Sequence, residues 1–360
     1  MKRNYGLDLL RLVSMLLIVT LHLMRRGGVM AALDVGSARY WVCSVIECFA
    51  YCTINTFAML TGYVYVRAKY RFSSLALLWL QTLVYTLGIG IIVWCFKPQL
   101  FSLQHLSCLV FPVSKNLYWY LSSYFALFLL IPFLNKGLEA LSQKQTGTLL
   151  VLLFIAFSLV PSLSGRDLFG LNEGYGTLWL IYMYLVGAHI RQYDVGADLK
   201  AGKALVCYVV ACLLPLVLRA VLAVIEGHPR WPFTDRIGLT GIGSPLVVAS
   251  GIALFFACKN ARLPRWLEKL IAFLTPGAFG VYLIHEHEYI RSYLLSGLLA
   301  PLAKRSLPVM VLGILGCAFG IFLLCVLVDV ARHHLFRRLR LKERLEGLED
   351  KYVKFNITRM

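Results

Sequence analysis

Charge is what this sequence has least of. Only 15% of its 360 residues are charged, and the acidic ones are rarer still, 18 against 36 Lys and Arg. A soluble domain carries about 25% charged residues. This shortage excludes one, and with 59% hydrophobic residues and a mean hydropathy of +0.72 it makes the bilayer the solvent. Metal-ligand spacings are missing as well: there is neither a C-x2-C pair nor an H-E-x-x-H run, which argues against a metal. Most of the ten cysteines sit inside apolar runs, where a free thiol behaves as a small hydrophobe. No small-residue cleavage site follows the first apolar run, so that run reads as a retained anchor. The two halves of the chain show no matching features of the kind that mark many transporters.

What is present is a series of apolar segments. Spans need about 20 residues each, and ten are read here: 7–24, 41–66, 73–96, 117–135, 147–162, 177–191, 203–225, 237–257, 270–287 and 308–331. The expected fold is therefore all-α, a polytopic helical bundle with no inserted soluble domain. It divides into a membrane domain over 1–335 and a basic tail over 336–360. Net charge is +18, but nucleic acid is not the partner this implies. A quarter of the Lys and Arg lie beyond Ala331, and a basic segment directly after a span suits the anionic lipid of the cytoplasmic face. Lys2, Arg3, the cluster Arg67, Lys69 and Arg71, and the tail together place both termini in the cytoplasm by the positive-inside rule.

Within this apolar background a few residues are costly. Arg11 and His22 lie in the first span, eleven residues apart, about three turns or roughly 16 Å along one helix face. Asp8 shares that stripe and suits an i, i+3 pair with Arg11. Ionisable groups inside a membrane face a protein-lined cavity, so this stripe is a candidate site. The second span carries Glu47 and Asn55 and runs on to Arg67, Lys69 and Arg71, cations that suit phosphate or serve only as positive-inside anchors. Trp119 and Tyr120 open the fourth span as a belt, a sugar platform or a lid over an acyl chain. The run His285, Glu286, His287 and Glu288 closes the ninth span. Successive helical residues point about 100° apart, so one or two of these face any cavity and the rest sit at the interface.

These landmarks, in this order, resemble the membrane-bound acyltransferase-3 family. The residues that carry the likeness are the opening GLDLLR with an arginine, ten residues and a histidine (Arg11 to His22), and the stretch INTFAMLTGY from Ile54 to Tyr63, with Thr61 where the family has serine. YWYLSSYFALFLLIPFLN, WLIYMYLVGAHIR and GVYLIHEH complete it. The basic residues after the second element depart from the family's R-x-x-R spacing.

The resemblance implies an enzyme of a bacterial cell membrane, an O-acyltransferase moving an acetyl or other short acyl group from cytoplasmic acyl-CoA to a hydroxyl of a surface or lipid-linked carbohydrate. Donor phosphates would sit on Arg11, Arg67, Lys69 and Arg71. His22 would be the general base, with Asn55 or Thr61 as oxyanion donor and Glu286 or Glu47 orienting the imidazole. Trp119, Tyr120 and His285 would meet the substrate, and no metal is implied. The competing reading is a transporter or lipid-carrier flippase, in which intramembrane charges are equally natural.

Overall fold

The computed structural model describes residues 3–100, 102–226 and 238–352. Lys2, the first residue of the expected 237–257 span and the tail beyond 352 lie outside the described residues. Helices follow one another as α1 (Tyr5–Arg26), α2 (Ala38–Ala50), α3 (Thr53–Tyr65), α4 (Phe72–Phe96), α5 (Leu103–Val110), α6 (Trp119–Glu139), α7 (Gln143–Phe154), α8 (Val160–Ser164), α9 (Thr177–Gln192), α10 (Ala201–Glu226), α11 (Pro245–Lys259), α12 (Arg265–Leu274), α13 (Ala278–His285), α14 (Leu307–Arg338) and α15 (Leu341–Tyr352). No strand occurs among the described residues. Among the described residues, eight helical stretches are long and apolar enough to cross a membrane. The other two expected spans are shorter, 16 residues in α9 and 15 in α11. All ten cysteines are free.

Local chemistry sets the helix ends. Asn4, Ser37, Ser102, Ser142 and Ser244 each accept a backbone N–H through the side chain at the start of α1, α2, α5, α7 and α11, which satisfies donors a helix cannot use internally. The second expected span differs from its reading as a continuous helix: it breaks at Tyr51 and Cys52 into α2 and α3. The break turns Tyr51, Thr53 and Ile54 toward α1.

Two apolar clusters form the core. One centres on α3, α9 and α11, with Met59, Trp179, Tyr184 and Phe255. The other centres on α1, α13 and α14, with Val19, Leu23, Leu283 and Met310. The apolar side chains that remain exposed, such as Ile91, Val210, Phe319 and Leu324, suit lipid contact. Small residues let backbones touch, as is usual where helices pack in lipid. A Cβ on Gly62 of α3 would lie 1.9 Å from the Tyr184 carbonyl oxygen, and one on Gly187 of α9 would lie 1.8 Å from that of Met59.

A second close approach holds α13 to α14. Gly280 lies directly against Asp329, which is fully buried. The Asp329 carboxylate accepts from Gln81 Nε2 at 3.0 Å, Tyr85 Oη at 2.6 Å and Arg332 Nε at 2.7 Å. This network ties α4 to α14, with Gly280 of α13 packed against Asp329. The expected boundary at residue 336 falls inside α14, which continues to Arg338 before α15 turns back onto α4. There Glu349 accepts the Phe72 and Ser73 amides at 2.9 and 3.0 Å, and Arg71 meets Asp350 at 3.1 Å.

Candidate active site

His22 lies near the end of α1, and its neighbours come from the far end of the chain. His22 Nδ1 is 2.8 Å from Glu286 Oε1 and 3.0 Å from His285 Nε2. His285 Nδ1 is 2.6 Å from the Val281 carbonyl oxygen. A carbonyl only accepts, so that nitrogen carries the hydrogen and His285 Nε2 is left with a lone pair. The His22 Nδ1–H therefore points at two acceptors, Glu286 and His285. His22 Nε2 is then the nitrogen with a lone pair.

The sequence run 285–288 behaves differently from a helix end at an interface. α13 stops at His285, and Glu286 is its C-terminal cap. His285, Glu286 and His287 are all buried, a correction to the expectation that at most two of the four turn inward. Ending the helix lets His285 and Glu286 converge on one partner. His22, His285 and Glu286 also form a group whose ligand-type atoms lie within 4.8 Å of one another. The Arg26 guanidinium, one turn beyond His22, already holds Glu286 Oε1, so a cation is in place beside that oxygen.

Glu47 takes a separate role. It is fully buried and accepts from Arg25 Nε at 2.8 Å, and Arg25 also donates to the Tyr51 hydroxyl. Glu286, not Glu47, is therefore the carboxylate beside His22.

Two cavities flank this arrangement. The smaller, about 70 Å³, is lined by His22, Tyr51, Trp119, Tyr120, Tyr175 and Tyr282 among others. Trp119 packs edge-on to Tyr175 with centroids 4.8 Å apart. The larger, about 910 Å³, contains Arg3, Asp8, Arg11, Tyr63, Arg191 and His333. Arg3 and Arg11 share Asp8, at 2.6 and 2.9 Å, and Arg191 donates to the Tyr63 hydroxyl at 3.1 Å.

A family described as an acyltransferase domain matches residues 4–330. The chain belongs to the acyltransferase-3 family. No curated protein and no solved structure matches it. The match begins at the cap of α1 and ends in α14, so the acyltransferase domain takes in every residue of both cavities except Arg3 and His333.

Several expected site residues sit elsewhere in this acyltransferase. Asn55 accepts from Trp179 Nε1 at 2.8 Å and donates to the Ile242 carbonyl at 3.0 Å. Its amide is fully buried in that role and lines neither cavity, which corrects its expected place as an oxyanion donor. Thr61 lines the larger cavity, with its hydroxyl donated to the Phe57 carbonyl. Arg11 lines the larger cavity, but Arg67, Lys69 and Arg71 do not. α3 ends at Tyr65, and beyond it Arg67 reaches the Gln192 carbonyl at 3.3 Å while Arg71 turns to Asp350. Arg3, Arg191 and His333 line the larger cavity with Arg11.

Sequence reasoning also missed Arg26 and Tyr51. Arg26 was within reach of that reasoning, because four residues after His22 puts it on the same helix face.

Proposed function

We propose that the protein transfers a short acyl group, acetyl in the first instance, from cytoplasmic acyl-CoA to a hydroxyl of an extracytoplasmic or lipid-linked carbohydrate. What carries this reading is His22, with Nδ1 held by Glu286 at 2.8 Å and the residue lining an aromatic-walled cavity. A histidine presented in this way is a general base.

The acceptor hydroxyl gives its proton to His22 Nε2 as its oxygen bonds to the thioester carbonyl carbon. The C–S bond then breaks, and the thiolate takes that proton back from His22, leaving ester and free CoA. Glu286 stabilises the imidazolium that forms between the two steps and keeps the ring in the useful tautomer, the part a buried carboxylate plays in other His-based sites. Tyr51, lining the cavity with its hydroxyl accepting from Arg25, is the oxyanion donor in place of Asn55. Arg3, Arg11 and Arg191 hold donor phosphates in the larger cavity by charge-assisted hydrogen bonds. Trp119, Tyr120 and Tyr175 offer the flat apolar faces that a sugar ring packs against.

Both termini lie in the cytoplasm on this reading, because the cavity assigned to the cytoplasmic donor is lined by Arg3, just before α1, and His333, near the end of α14. His22, roughly 16 Å further along α1 than Arg11, serves an acceptor on the outer side. The test is transfer of radiolabelled acetyl from acetyl-CoA to glycan extracted from the same cells. The His22→Ala protein, folded and still binding CoA, should transfer nothing above background. Undiminished transfer removes His22 as the base, and carbohydrate transport without CoA consumption replaces the enzyme by a flippase.

A further inference from the structure

Among the described residues, the two cavities share three lining residues, Phe57, Tyr120 and Phe279. These come from three separate elements, α3, α6 and α13. Their rings form a connected set, with Phe57 and Tyr120 centroids 6.4 Å apart, Tyr120 and Tyr282 6.2 Å, and Tyr282 and Phe279 5.9 Å. All three shared residues are half-buried, as befits side chains standing between two spaces.

We infer that Phe57, Tyr120 and Phe279 form the constriction through which the thioester arm of the donor passes from the basic cavity to His22, and that its bore, with the small chamber beyond, selects short acyl groups. This inference rests on the acyl-CoA reading above. The charges that suit phosphate, Arg3, Arg11 and Arg191, all lie on one side of the three rings, and His22 lies on the other. A donor anchored by its phosphates therefore has to send its acyl end between them.

The walls beyond the rings include Met15, Ile18 and Ile54, which leave an apolar pocket of about 70 Å³ against about 910 Å³ on the basic side. An acetyl group adds little bulk to the arm that carries it. A six-carbon chain has to thread the rings and then find space in the smaller chamber. Each methylene misfit in an apolar pocket costs roughly 10- to 200-fold in kcat/KM, so discrimination against such a chain is steep.

The experiment uses the full chain in lipid nanodiscs with radiolabelled acetyl-, butyryl- and hexanoyl-CoA and extracted glycan as acceptor. The quantity read is the hexanoyl-to-acetyl ratio of kcat/KM. Phe57→Ala and Phe279→Ala should each raise this ratio by about ten-fold or more, with Phe57→Leu and Phe279→Leu intermediate. The leucine variants keep an apolar side chain at each position and carry the test if the alanine variants fail to fold. A purely structural role would lower all three donors together and leave the ratio where it was. Ratios within two-fold of the unsubstituted protein, in variants that still transfer acetyl, overturn the constriction and leave the acyl-CoA reading intact. If the unsubstituted protein itself neither binds nor consumes any of the three donors, the donor reading falls and the constriction with it.

Discussion

Replacing Glu286 with glutamine removes one charge from the site and almost no volume. In the resting state His22 Nδ1–H still has His285 Nε2 at 3.0 Å as an acceptor, so the ring keeps its tautomer and its place. The loss falls on the intermediate, when His22 is an imidazolium facing a neutral amide instead of a carboxylate 2.8 Å away. A hydrogen bond to a charged partner contributes about 1.5–3 kcal/mol, against about 1 for a neutral one. Arg26 already offsets part of the Glu286 charge through its own contact, which limits any further through-space contribution. A net barrier increase of about 0.5–2 kcal/mol follows, and kcat falls roughly 2- to 30-fold at 1.36 kcal/mol per decade. This is well short of the ~10,000-fold loss that accompanies a wrong tautomer in a serine protease, because His285 stands in.

Acetyl transfer from acetyl-CoA, with kcat and KM measured separately, is the assay. KM for acetyl-CoA should stay within two-fold, since Arg11 lies about three helical turns from His22. An unchanged kcat, or a loss confined to KM, would refute the assignment of Glu286 to the imidazolium.

Three further outcomes follow from the same structure. Arg11→Ala and Arg191→Ala should each raise KM for acetyl-CoA about ten-fold, the loss of one charge-assisted contact to phosphate, with kcat little changed; equal loss in kcat would move these residues out of the donor site. Asp329→Ala should destabilise the fold by about 3–5 kcal/mol, read as a lower unfolding midpoint in detergent, because it leaves the nearly buried Arg332 without its carboxylate; an unchanged midpoint would show that the network does not hold α4 to α14. The third concerns pH. Partial burial pushes the Glu349 carboxyl up, but the Ser73 and Phe72 contacts and Arg71 outweigh it and hold the group below the ordinary carboxylate range. Its docking is therefore full above that ordinary range and is lost as pH falls through the lowered value, so proteolysis within 341–352 should accelerate on acidification, and Glu349→Gln should show the faster cleavage already at neutral pH.

How much of this was legible in the sequence depended on whether the signal was local. The spans follow from apolar run length, and the Arg11 and His22 stripe follows from helical spacing along one segment. Asp8 with Arg11 is an i, i+3 pair and was readable for the same reason. The break at Tyr51 and Cys52 was not, since neither Gly nor Pro marks it and the apolar run continues through it. The basic run Arg67, Lys69 and Arg71 looked like a phosphate mouth because three cations fall within five residues. The end of α3 at Tyr65 sends that run away from the cavity. Arg191 and His333 share a cavity with Arg11 only because α1, α9 and α14 are brought together in the bundle, and no local pattern encodes that meeting. Asn55 illustrates the opposite error: a polar residue inside a span signalled a site, but its amide bonds to Trp179 and to the Ile242 carbonyl within the core.

The contact between His22 and His285 spans 263 positions of chain. At about 5–20 residues per second, roughly 13 to 50 seconds of synthesis separate the two imidazoles. Throughout that interval α1 sits in the membrane with Arg11 and Asp8 already able to pair, while His22 and Arg26 wait for partners not yet made. The His22–His285–Glu286 arrangement therefore comes into existence late, and a ribosome that stops short of His285 leaves an inserted bundle in which His22 has neither partner.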